Sequence, residues 1–120
     1  AGEKYQDNGH HIESLVHNRL NYLKQFLPYR SEIYYFKPYQ IDSSNKSLRF
    51  LLGEIDFIFK VGTSLLPIEC KATAQINNID TTLLEEFIHK HKVLYGIIAY
   101  GGVPYFDNDK KILFWPWWML

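Results

Sequence analysis

GEIDFIFKVGTSLLPIECKA, residues 53–72, sets two apolar strand-like runs on either side of Gly62-Thr63 and places Glu54, Asp56, Glu69 and Lys71 within them. Glycine at the first central position suits a two-residue type II′ turn, so the stretch reads as a tight β-hairpin. With the loop centred there, residues that face each other have numbers summing to 125. Asp56 then faces Glu69, and Glu54 faces Lys71. Alternation puts these four side chains on one face and Ile55, Phe57, Phe59, Ile68 and Cys70 on the other, toward a core. Opposed Cβ atoms lie about 4.5–5.5 Å apart, so the carboxyl groups of Asp56 and Glu69 converge and repel. Unless one keeps a proton, the pair calls for a cation, and hard oxygen ligands with no thiol among them favour Mg²⁺ or Mn²⁺. Lys71 aims an ammonium at the same place, where an anionic phosphate fits. The bland alternative is a half-exposed hairpin with a polar face and an ordinary Glu–Lys pair. Like charges directly opposed weaken a hairpin, which argues against that alternative; a bulge would shift the register by one and undo the pairing.

Upstream of the hairpin, apolar positions 12, 15, 16, 20, 23 and 27 recur at helical spacing. They predict a helix over 12–27, with Asp7 or Asn8 as cap and Pro28 as stop. Glu13 lies at the margin of its apolar stripe, where it can reach the sheet; its other reading is a first-turn acid favoured by the helix dipole. EIYYFKPY (32–39) predicts a strand that Pro38 confines to an edge or an end, IDSSNKS (41–47) a loop, and two further strands follow over 48–61 and 65–72. Downstream, Thr82-x-x-Glu85 resembles a capping box that opens a helix through His91. VLYGIIAY (93–100), apolar on both parities, predicts a strand covered on both faces. Gly101-Gly102 turns the chain, and ILFWPWW (112–118) supplies a last strand whose Pro116 points to an edge. Helix, three strands, helix, then one or two strands is an α/β layout with an antiparallel meander at its start.

The chain of 120 residues, 47% hydrophobic and 17% aromatic, is the size of one domain with material for a core. Its 13 Lys and Arg balance 13 Asp and Glu, so no global field draws it to nucleic acid or an anionic membrane. Any nucleic-acid contact must therefore be local. The single cysteine, Cys70, excludes internal disulfides and cysteine-rich zinc motifs and fits a reducing cytosol. With no signal peptide and no apolar run of about 18 residues, the expectation is a cytoplasmic protein with no membrane partner. A start without methionine and the apolar end FWPWWML read as a piece of something longer.

Asp56, Glu69-Cys70-Lys71 thirteen residues on, and a preceding helix with Glu13 together resemble the PD-(D/E)xK nuclease superfamily. More narrowly, "NGHHIESLVHNRL", "GEIDFIF" leading to "LLPIECKA", and "YGIIAYGG" resemble the domain at the C-terminus of many bacterial and archaeal AAA+ ATPases. The likeness runs from Gly9 onward. It implies a restriction-endonuclease-like αβββαβ core, a mixed sheet of four to five strands flanked by helices, and residues 1–120 as one domain of a larger ATPase-containing protein. It also implies Asp56 and Glu69 as ligands of Mg²⁺ or Mn²⁺, with the main-chain carbonyl of Cys70 completing the shell and Glu13 as a further ligand or orienting group. Lys71 would orient the attacking water or stabilise charge at the scissile phosphate. Ile55 stands where the motif's name has proline, and the neutral charge departs from what a nuclease suggests.

Other residues carry less. Gln75 matches a substrate-facing glutamine of some superfamily members but lies in the polar loop ATAQINN. His10, His11, His17, His89 and His91 show no metal-ligand spacing, and His17 merely shares a helix face with Glu13. Arg19, Lys24, Arg30 and the HKHK run at 89–92 are phosphate-contact candidates that a helix dipole partly explains. Cys70 reads as a core thiol, and Trp115, Trp117 and Trp118 as packing groups. No phosphate-binding glycine-rich loop occurs, so ATP hydrolysis would belong to another part of the protein. Three functions stay open: a metal-dependent nuclease in which metal-activated water hydrolyses a phosphodiester, an inactive nuclease-fold module that holds nucleic acid, and a protein-contact domain for the attached AAA+ ATPase, with oligomerisation open in each.

Overall fold

A computed structural model describes residues 2–37, 39–41, 49–51 and 53–120. Helix α1 (Gly2–Lys24) leads into strand β1 (Ser31–Phe36), and the short strands β2 (Tyr39–Ile41) and β3 (Arg49–Leu51) pair with each other. Then come β4 (Ile55–Val61), β5 (Ser64–Cys70), α2 (Thr82–Lys90), β6 (Gly96–Tyr100), β7 (Tyr105–Asp107) and β8 (Ile112–Pro116). The main sheet has six strands in the order β1-β4-β5-β6-β8-β7. β1, β4 and β5 are antiparallel neighbours, β5, β6 and β8 run parallel, and β7 returns antiparallel to β8. The fold is therefore α/β with a mixed sheet and two helices. Among the described residues, no helix is long and apolar enough to cross a membrane.

Two apolar clusters cover the two faces of the sheet. Ile12, Val16 and Leu20 of α1 bury against Phe57, Phe59, Ile68 and Ala99, with Trp117 and Leu120 closing the edge. Leu84, Phe87 and Ile88 of α2 bury against Ile55, Ile58, Ile98, Tyr100, Ile112 and Phe114. β6 is apolar on both parities because it lies between these clusters, Ala99 facing α1 and Ile98 and Tyr100 facing α2. Each buried Ile, Val, Leu or Phe side chain of these clusters is worth roughly 1.5–3 kcal/mol relative to exposure.

The hairpin forms as its turn residues dictate. Val61 pairs with Ser64, so Gly62-Thr63 is a two-residue loop, and Gly62 has φ +62° while Thr63 is not among the residues with positive φ. That is the φ pattern of a type II′ turn. All five β4–β5 pairs, from Val61–Ser64 to Phe57–Ile68, keep the sum of 125.

Several expectations need correction. The sheet has six strands rather than four or five; the addition is β7, too short to show a period. The stretch 48–61 is interrupted into β3 and β4. Helix α1 begins well before Asp7 and Asn8, which lie inside it, so neither caps it. β8 is an interior strand, yet β7 pairs with it only as far as Phe114, so Pro116 falls where no neighbour on that side needs its N–H. At α2 the helix starts one residue after Thr81, whose Oγ1 donates to Glu85 Oε2 at 2.7 Å, while Asp80 Oδ1 accepts from the Thr82 N–H at 3.0 Å. Thr81 and Asp80, not Thr82, thus order that end. Pro38 and nearly all of the loop at 41–47 lie outside the described residues.

Candidate metal centre

The site begins with an irregularity in β4. β1 pairs Tyr34 with Ile58 and then Phe36 with Ile55, so Asp56 and Phe57 together oppose the single residue Tyr35. This two-against-one bulge breaks the alternation of faces. Ile55 and Ile58 pack toward α2 while Phe57 packs toward α1, which corrects the expectation that Ile55 and Phe57 share a face.

Beside the bulge, oxygens of Glu13, Glu54 and Asp56 all lie within 4.8 Å of one another. Glu13 is delivered by α1, next to Ile12 and within a turn of Val16, which bury against the sheet; Asp56 is the second residue of β4, and Glu54 immediately precedes that strand. Three carboxylates gathered from two layers form a group that could hold a metal ion. Asp56 is half-buried, and its Oδ2 accepts the backbone N–H of Cys70 at 2.7 Å, a bond that carries the β4–β5 contact beyond the last ladder pair. Burial pushes the Asp56 carboxyl up to about 6, against the pull of the Cys70 N–H, and the charges of Glu13 and Glu54 add to the rise.

Glu69 stands outside that group of three. It is 3% exposed, and its Oε2 has no hydrogen-bond partner among the described residues. Burial pushes it up to about 7, with Lys71 pulling down and Asp56, Asp80 and Glu54 pushing up. The backbone leaves the β4–β5 ladder here, since the Lys71 N–H donates to the Ala99 carbonyl at 2.8 Å. Glu69 and Lys71 line a cleft of about 550 Å³ over α2, together with Glu54, Asp80, Glu86 and Lys90. Glu54 belongs to both the acidic group and the cleft, so it joins what the bulge separates. The expected Glu54–Lys71 pair is replaced: Glu54 Oε2 meets Lys37 Nζ at 3.6 Å.

Sequence reasoning thus named Glu13, Asp56, Glu69 and Lys71; the fold brings carboxylate oxygens of Glu13 and Asp56 within 4.8 Å, whereas Glu69 and Lys71 line the neighbouring cleft and the expected Asp56–Glu69 pair is not among the ladder pairs, which end at Phe57–Ile68. The same reasoning misjudged Glu54, whose partner was read from a register that the chain abandons at the bulge. The signal available was the spacing of two acids, Glu54 and Asp56, just after a glycine. Cys70 contributes a main-chain donor, while burial and the surrounding acids push its thiol far up, which removes it as a nucleophile. Of the histidines with described side chains, His11 meets Trp117 edge-on, His17 stacks on Phe57, His91 lies against Phe87 and His89 is exposed. Gln75 sits in an exposed loop with its N–H on Thr73 Oγ1. Compared with known protein families, with curated proteins and with solved structures, the chain matches none of them.

Proposed function

We propose that the chain is a nuclease dependent on Mg²⁺ or Mn²⁺, hydrolysing phosphodiester bonds at the Glu13–Glu54–Asp56 group with Glu69 and Lys71 beside it, in the manner of the PD-(D/E)xK superfamily. The observation that carries this reading is the convergence of three carboxylates within 4.8 Å next to a buried carboxylate oxygen with no partner among the described residues. Such a group is self-repelling and gains from a hard cation, and all its ligand atoms are oxygens, which suits Mg²⁺ or Mn²⁺ over softer ions. When bound, that ion supplies a Lewis acid that makes water nucleophilic at neutral pH. Asp56 and Glu13 would hold the cation and Glu54 would add charge, while the Cys70 N–H fixes the orientation of Asp56. Lys71 neutralises charge on the phosphate that faces the cleft, and Glu69 completes the cation's surroundings or takes a proton there. By the resemblance of its three quoted segments, the domain serves as the C-terminal part of an AAA+ ATPase.

One observation favours a second reading, a nucleic-acid-holding module without turnover: Glu69 lies outside the tight group. Mn²⁺ titration calorimetry and a cleavage assay on Asp56→Ala, Glu69→Ala and Lys71→Ala separate the two. The nuclease reading expects each variant to lose cleavage while keeping its fold, and metal-dependent cleavage surviving in all three would sink it. Nucleic acid retained without cleavage by the intact chain would select the module.

A further inference from the structure

Beside the acidic group lies a row of rings that the proposed chemistry does not use. Phe57, the residue after Asp56, is buried, and two further rings lie close to it. His17, one helical turn beyond Glu13, lies nearly parallel to it with centroids 5.7 Å apart and an angle of 18°. Tyr35, opposite the bulge, lies 5.9 Å away at 46°. The bulge that holds Asp56 therefore also holds Phe57, which meets both rings. Asn21 holds the imidazole, its Nδ2 3.3 Å from Nε2, and Tyr35 is 63% exposed on a strand with no further neighbour among the described residues. Lys37, two residues along β1 from Tyr35, meets Glu54 of the acidic group. Rings, cation and acids thus occupy one continuous stretch between α1 and the β1 edge.

Charge then decides what could bind there. The chain has zero formal net charge, and the site itself is acidic, so phosphates are not drawn in by the field of the protein. Beyond the local contact at Lys71, a nucleic acid that binds gains its affinity from contacts other than phosphate neutralisation. Stacking on aromatic rings is the available source, and it needs an unpaired base, because in a duplex the faces of each base are covered by its neighbours. Resting on the nuclease reading of the acidic group, we propose that Tyr35 and His17 form a platform on which an unpaired base next to the reacting phosphate stacks, which makes the substrate single-stranded nucleic acid.

The experiment is equilibrium binding of single-stranded and duplex oligonucleotides of equal length, by fluorescence anisotropy in Ca²⁺ at two salt concentrations. The intact chain should prefer the single strand and depend weakly on salt. Tyr35→Ala and His17→Ala should each weaken single-strand binding about 5- to 100-fold, as expected for the loss of one base–aromatic stack. Tyr35→Phe should retain it and Tyr35→Leu should not, which separates stacking from loss of packing. Calorimetric Mn²⁺ binding should be unchanged in all four variants. Duplex preference, or wild-type single-strand binding by Tyr35→Ala and His17→Ala, overturns the platform; if Asp56-dependent cleavage persists in that case, the nuclease reading stands without it. Ring-dependent single-strand binding with no Asp56-dependent cleavage supports the platform and overturns the nuclease reading. No binding of either oligonucleotide overturns both.

Discussion

Asp56 and Glu69 are carboxyl groups that folding makes harder to ionise. Their pKa values rise to about 6 and about 7, each chiefly through burial. In the unfolded chain both titrate near the usual range of about 4. Between the two ranges the folded state binds more protons than the unfolded one, so its stability falls as pH rises. The contribution is fully present below about pH 4 and is lost as pH passes through 6 and 7. We expect the metal-free chain to lose on the order of 3 kcal/mol from each of these groups between pH 4 and pH 8. Asp56→Asn, which keeps an acceptor for the Cys70 N–H, and Glu69→Gln should each be more stable than wild type at pH 8 and flatten that slope. Urea melts across this range check it, and equal slopes in wild type and both variants would refute the assignment. What was legible is the register that Gly62-Thr63 fixes, from Val61–Ser64 to Phe57–Ile68; it stops short of the expected Asp56–Glu69 pair. Glu54 was not legible, since its neighbours depend on a backbone irregularity that no residue pattern announces.

The hairpin and the bulge are the elements that build the site, and two glycines serve them differently. At Gly62, φ is +62° and an added Cβ would meet nothing within 4 Å. At Gly53, just before Glu54, φ is +139° and an added Cβ would come within 3.1 Å of Leu83 Cδ2. Gly62→Ala should therefore cost about 1–2 kcal/mol from conformation alone, with metal affinity unchanged. Gly53→Ala should cost on the order of 2–3 kcal/mol and weaken metal binding as well, because it displaces the segment that carries Glu54. Denaturant melts paired with Mn²⁺ calorimetry separate these outcomes; unchanged affinity in Gly53→Ala would detach Glu54 from the centre. Elements with a clear period were readable: the apolar face of α1, the hairpin, α2 and the doubly covered β6. The start of α1 was hidden because a polar leading segment shows no stripe, and β7 because three residues make no period. The bulge follows from how β1 lies against β4, a long-range contact invisible in either strand alone.

At the scale of the molecule, the centre lies where two layers meet. Glu13 belongs to α1, whereas Asp56 belongs to β4 and Glu54 immediately precedes it, so a cation held by all three would tie the helix to β4. The α/β class could be read from the order of elements. The placement of β8 between β6 and β7 could not, because parallel neighbours are set by crossovers rather than by local pattern. Without a cation, repulsion among the three acids would work against the docking of α1, and a cation held by them would reverse that. A ligand that binds only the folded state stabilises it by about 2.7 kcal/mol at one hundred times its dissociation constant. Mn²⁺ should therefore raise the melting temperature of the whole chain in a concentration-dependent way. The rise should be larger at pH 7.5 than at pH 5.5, since protons compete for Asp56 below about 6. Glu13→Gln and Asp56→Asn should each diminish the rise although they act from different layers, and combining them should cost less than the sum, because both remove one shared ion. Differential scanning calorimetry over an Mn²⁺ series reads all of this. An equal rise in wild type and in both variants would place the ion elsewhere on the chain, and additive losses would mean that Glu13 and Asp56 do not share it.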